Sequence, residues 1–80
     1  MIYTCTDHKA TEAISFGDAA EIFAGRAARR CYGPRGYSQA LMCHSSGIDA
    51  PTATYEVFIG RDVADGHMQG HNIWLTIVQK

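Results

Sequence analysis

Between Phe16 and Cys31 the apolar residues Phe16, Ala20, Phe23, Ala27 and Cys31 recur at spacings of three and four, which sets them on one face of a helix. Asp18, Glu21, Gly25 and Arg29 fall on the opposite face. Ser15 is placed to cap the N-terminus, with Asp18 three residues on as its short capping-box partner. Asp18 and Glu21 precede the arginines along the helix, which complements its dipole. Gly33 and Pro34 end it, because glycine accepts the left-handed cap and proline cannot continue the ladder. The spacing predicts one amphipathic helix over about residues 16 to 32.

The pattern elsewhere has period two. Ile2 to Thr6 is β-prone and reads as a first strand; Asp7 to Ser15 is mixed, and 10–15 either extends that strand or connects onward. Tyr37 to His44 is the next strand, closed by a turn over 45–51. In Thr52 to Ile59, Tyr55, Val57 and Ile59 alternate with Thr54, Glu56 and Phe58. In Asn72 to Val78, Ile73, Leu75 and Ile77 alternate with Trp74, Thr76 and Val78. The stretch Gly60 to Gly70, with three glycines, reads as a mobile loop. The expected fold is a single α+β domain over residues 1–80, ordered β-α-β-β-β, with one amphipathic helix packed on a mostly antiparallel four-stranded sheet.

One helix covers one sheet face. Leu41, Cys43, Tyr55, Val57, Ile59, Ile73, Leu75 and Ile77 form the helix-facing set, and Phe16, Phe23, Leu41, Val57, Ile73 and Leu75 are expected to be buried together. The opposite face then carries Met42, Phe58, Trp74 and Val78 among Ala40, His44, Thr54, Glu56 and Thr76. That is apolar for a face left in water. Either the 7–15 segment or a loop covers it, or a partner or second copy does.

Eighty residues allow one core, and chains of this size bury only about 60% of their unfolded surface. Apolar residues make up 46% and charged residues 19%, which excludes disorder by composition. The formal net charge of −1 disfavours both a dedicated nucleic-acid binder and an acidic nucleic-acid mimic. The charge is uneven, because four of the five arginines, Arg26, Arg29, Arg30 and Arg35, lie within ten residues. Three cysteines (Cys5, Cys31 and Cys43) form no even disulfide framework, and no signal peptide or apolar span is visible. A reducing cytoplasm is the expected compartment.

Candidate chemistry is thin. Cys43 and His44 are strand neighbours, so thiol and imidazole point to opposite faces; a buried Cys beside an exposed His is expected. His67 and His71 have helical metal spacing but are flanked by Gly66 and Gly70, with no further ligand at a diagnostic distance beyond the chance approach of His44. Gly33 to Gly36 follows a helix, whose C-terminus repels phosphate, so it reads as a capped turn. Asp62 and Asp65 read as a solvated pair. No catalytic residue, metal or cofactor is therefore assigned. The arginines with Tyr32 and Tyr37 are the remaining cluster. They suit carboxylates on a protein or phosphates on a nucleic acid, or they are simply a solvated helix end.

The Ala-rich helix Asp18 to Arg30, the Gly-Pro-Arg-Gly-Tyr turn at 33–37, the strand Thr54 to Gly60 and the last strand Asn72 to Val78 together cover most of the chain. In size and series of elements the chain resembles the small phage-encoded anti-CRISPR proteins that inhibit type I Cascade surveillance complexes. That resemblance implies a non-catalytic inhibitor in the host bacterial cytoplasm, which binds a Cascade subunit and blocks target-DNA recruitment. It transfers no site residue. The arginine cluster (Arg26, Arg29, Arg30, Arg35, with Tyr32 and Tyr37) is the expected partner-binding surface, with direct nucleic-acid binding disfavoured. Monomer and homodimer are both open. The alternatives are a nucleic-acid-binding accessory protein using the same cluster, and a small metal- or Cys-dependent enzyme.

Overall fold

The computed structural model describes residues 1–46 and 51–80, apart from the side chains of Ser45, Ser46 and Asp65. Its elements are β1 (Ile2–Cys5), β2 (Thr11–Glu12), α1 (Phe16–Tyr32), β3 (Tyr37–Ser46), β4 (Thr52–Asp62) and β5 (Met68–Gln79), with a 3-10 turn at Ala64–Gly66. The strands form one antiparallel sheet in the order β2-β1-β5-β4-β3, and α1 packs on one side of it. The α+β class and the single helix are as expected. The sheet has five strands instead of four, because 10–15 folds back far enough to pair Ile2 with Glu12 and Tyr3 with Thr11.

The helix ends follow from the capping residues. Ser15 Oγ accepts from the Asp18 amide at 3.1 Å, and the Gly33 amide donates to the Arg29 carbonyl at 2.9 Å. The buried face is Ala19, Ala20, Phe23, Ala24, Ala27 and Ala28. It is rotated slightly from the expected stripe, which leaves Cys31 exposed. Alanine has no side chain beyond Cβ, so the helix backbone sits low on the sheet, and the fit tolerates little added volume. Gly36 shows the same closeness: a Cβ there would collide with the Ala28 carbonyl, so glycine lets the following turn press against the helix.

The core gathers Tyr3, Phe23, Val57, Ile59, Leu75 and Ile77 with these alanines. Of the six residues expected in the core, Phe23, Val57 and Leu75 are buried, while Phe16, Leu41 and Ile73 pack half-buried at its margin. Phe16 meets Tyr3 edge-on at 5.0 Å.

Two expectations are corrected. The stretch expected as a mobile loop is mostly ladder: β4 and β5 pair continuously from Thr52 with Val78 to Asp62 with Met68, through a Gly60–Gly70 pair. The turn itself is only Val63 to His67, closed by Val63 N–H to the His67 carbonyl at 2.8 Å. Glycine weakens a strand but does not forbid pairing when both neighbours are already in register. Cys43, expected in the core, is exposed. It lies on β3, an edge strand with register shifts at Gln39/Met42 and Cys43/Ser45, and there it stands beyond the cover of α1. The turn expected over 45–51 lies partly outside the described residues.

Phe23 is fully buried and is the largest side chain that α1 contributes to the core. Phe23→Ala should cost about 3–5 kcal/mol, from lost transfer energy plus a cavity. Urea denaturation followed by circular dichroism measures it; an unchanged midpoint would show that this face is not what holds the helix down.

Candidate functional site

The four clustered arginines divide by task. Arg26 Nη1 donates to the Lys9 carbonyl at 3.0 Å, and Arg30 Nη2 donates to the Asp7 carbonyl at 3.0 Å. These two, one turn apart, hold the β1–β2 connection against the helix. Asp7 has a positive φ of 67°, tolerable for aspartate, and the arginine bond fixes its carbonyl. The side chains of Arg29 and Arg35 are exposed and make no hydrogen bond or ion pair to another described residue. Arg29 lies back along the helix over Gly25.

The two tyrosines of the cluster are separated by the sheet. Tyr32 at the helix end bonds through its hydroxyl to His71 Nδ1, with the rings 5.7 Å apart. His71 pairs with Ile59 and so belongs to the helix side. Tyr37 pairs with Gly60, which sets it on the other side with Phe58, and its hydroxyl donates to Asp62 Oδ1 at 3.3 Å. Asp62 is therefore a bonded strand residue, and the side chain of Asp65 is outside what the structure describes. The structure does not bring Tyr32 and Tyr37 into one stacking platform.

Among the described residues nothing covers Met42 and Trp74 on the side of the sheet away from α1. Trp74 is 59% exposed and Met42 56%, both on a row with Glu56. Glu56 Oε1 is 2.9 Å from His44 Nε2, and Asn72 Nδ2 donates to Oε2 at 2.9 Å. These bonds, His44 first, hold the Glu56 carboxyl below the usual carboxylate range. The His44 ring also lies 4.4 Å from the Trp74 ring. Further along, the Phe58 ring lies across the Gly60–Gly70 pair, where any Cβ would collide with backbone. The alternation of β4 and β5 foretold this face; the His44–Glu56–Asn72 network was not foreseen, because it spans three strands.

The thiols and histidines stay apart. Cys43 pairs with Tyr55 on the helix side and His44 reaches Glu56 on the other, so the two neighbours do point to opposite faces. Burial pushes the Cys5 thiol up, away from thiolate. Among the described residues no group of three His, Cys, Asp or Glu side chains is arranged to hold a metal. Nor, among the described residues, is any helix long and apolar enough to cross a membrane. An open groove of ≈ 590 Å³ runs beside β2 and the start of α1, lined by Met1, Glu12, Ala13, Ile14, Asp18 and Ile22.

His8 was not foreseen either. Its ring lies 5.3 Å from Phe23, with Nδ1 buried and unpaired. Burial, then the charges of Arg30 and Arg26, hold its pKa below the ordinary 6.5; Asp7 opposes them weakly. The folded protein therefore resists a proton that the unfolded chain accepts. Stability is full above about pH 6.5 and falls as the pH drops below it, until the folded-state pKa is passed. Urea midpoints taken between pH 7.5 and 5 should decline in the wild type and decline less in His8→Gln; parallel slopes would remove His8 as the cause. Glu56 does not confuse the comparison, since its contribution is lost as the pH falls from the ordinary carboxylate value of 4.5 through the lowered folded-state value, under this window.

Comparison with protein-family models, with curated proteins and with solved structures finds no match to this chain, so its function is argued from its own residues.

Proposed function

We propose that the chain is a non-catalytic inhibitor that binds a protein subunit of a type I CRISPR surveillance complex and so blocks target-DNA recruitment. The observation that carries the binding role is the pair Arg29 and Arg35, two exposed guanidinium groups at the C-terminal end of α1 without a bond to another described residue. Arginine suits such contact because its planar fork pairs bidentately with carboxylates and gives up hydration more readily than lysine. The identity of the partner rests on the resemblance in size and element order. A protein partner is favoured over nucleic acid because Tyr32 and Tyr37 lie on opposite sides of the sheet, each with its hydroxyl engaged, and the net charge is −1. Arg26 and Arg30 belong to the fold first, through the Lys9 and Asp7 carbonyls, and to the contact surface second.

The test is a binding titration of purified Cascade subunits, beside free DNA and RNA, over a range of salt. Arg29→Glu with Arg35→Glu should weaken subunit binding by about 2 kcal/mol or more, roughly 30-fold, if the pair is buried on contact, and should leave thermal stability unchanged. Arg30→Glu should instead lower the melting temperature. Unchanged binding by the double reversal, or preferential binding of free nucleic acid, would overturn the reading.

A further inference from the structure

β5 is paired along its length on one side only. β4 accompanies it from Met68 to Val78, whereas β1 reaches only Ile77, Val78 and Gln79. The two ladders fix which backbone groups face outward. The Gln79 amide donates toward β4, to the Pro51 carbonyl, and the Lys80 amide donates toward β1, to the Ile2 carbonyl. Directions alternate along a strand, so the odd residues of β5 bond to β4 and the even ones point to the β1 side. Past the end of β1, the amides and carbonyls of Met68, Gly70, Asn72 and Trp74 therefore face no strand among the described residues.

An open edge is a template for another strand, and proteins ordinarily blunt it. The other edges of this sheet are blunted: β3 carries two register shifts with Ala40 at a positive φ of 58°, and β2 is two residues long. β5 has none of these protections. From Met68 to Gln79 it contains no proline and no Asp, Glu, Lys or Arg, and its register against β4 never shifts. Only an extended polypeptide matches a row of donors and acceptors at strand spacing.

Charge selects among extended polypeptides. On the helix side, Arg30 reaches the Asp7 carbonyl and Arg26 the Lys9 carbonyl, where the chain has just left β5 after Cys5. Neither guanidinium forms an ion pair with a described residue, Asp7 included. An antiparallel second copy joined through this edge would carry its helix on the same side and set two arginine ends over one junction, where like charges repel. Carboxylates on a foreign strand would meet the same arginines favourably. On the other side the incoming strand finds Gly70, which has no side chain, and the exposed Trp74, so an apolar side chain fits there.

We propose that the open edge of β5 takes up an extended segment of a partner protein, antiparallel like every other pair in the sheet. Its carboxylates face Arg26 and Arg30, and its alternate, apolar side chains lie beside Trp74. This pairing goes beyond the contact of Arg29 and Arg35 with a Cascade subunit and does not depend on it; the subunit titration can fail while this pairing holds, and the reverse.

The probe is a capped peptide of about eight residues that alternates valine with glutamate, too charged at neutral pH to pair with itself. Amide hydrogen exchange of the isotope-labelled full chain, followed by nuclear magnetic resonance, reads the edge directly. In the free protein the Asn72 and Trp74 amides should exchange fast and those of Ile73 and Leu75 slowly. Peptide at millimolar concentration should slow Asn72 and Trp74 at least about tenfold. A peptide with lysine for glutamate, and one N-methylated at its valines, whose amides face β5, should each bind at least about tenfold more weakly; N-methylation at the glutamates should be tolerated. Unchanged exchange of Asn72 and Trp74 overturns the proposal. So does equal binding by the lysine peptide or by the peptide methylated at valine, or a free chain of 8.8 kDa that sediments at twice its mass and already protects these two amides.

Discussion

Ala20, Ala24, Ala27 and Ala28 lay the backbone of α1 against one side of the sheet, and Phe23 fills the space between them and the β strands. In a chain this short there is material for one such layer only. A helix is about 10 Å wide, whereas five strands at about 4.8 Å spacing are roughly twice that. So the contact settles more than stability. It determines which half of every strand is buried, where β3 runs out of cover, and that the opposite face is left to water or to another molecule. Cys43 and Trp74 are exposed for two separate consequences of it: the first stands beyond the helix, the second behind the sheet.

The same seating explains why part of a basic cluster is structural. The β1–β2 connection has no core of its own; it is held by Arg26 and Arg30 reaching over from α1 to the Lys9 and Asp7 carbonyls, and by His8 resting on Phe23. Two guanidinium groups beside an imidazole disfavour its protonated form, and burial disfavours it further. Cations recruited to fix backbone thus create an acid-sensitive point. Arg29, one residue along from Arg30, points elsewhere and takes no part in it.

What could be read from the sequence was whatever depends on local periodicity. The limits of α1 follow from Ser15, Gly33 and Pro34, and the outward set of β4 and β5 from strict alternation. What could not be read depends on register between strands. Gly60 and Gly70 look like loop residues singly; only their mutual pairing, with Phe58 laid over them, makes them part of a ladder. The alternation of β3 breaks at Ala40, so Tyr37 and Gln39 share the open side with Met42 and His44, although Leu41, Met42, Cys43 and His44 face the sides expected of them. Tyr37 and Tyr32, only five residues apart in the sequence, are separated because Tyr37 pairs with Gly60 on the Phe58 side while Tyr32 meets His71 on the helix side. Neighbourhood in the chain was taken for neighbourhood in space, and a sheet one strand thick intervened.

The molecule therefore presents two surfaces of opposite physical character. The helix end carries exposed cations whose attraction reaches outward about a Debye length and weakens with salt. The sheet face carries aromatic and threonine side chains with its one central carboxylate satisfied internally, and its attraction acts only on contact and strengthens with the apolar area removed from water. A partner chosen by the first must bring acids; a partner chosen by the second must bring a flat neutral face. Few single proteins meet both demands at once, on opposite sides of one small domain.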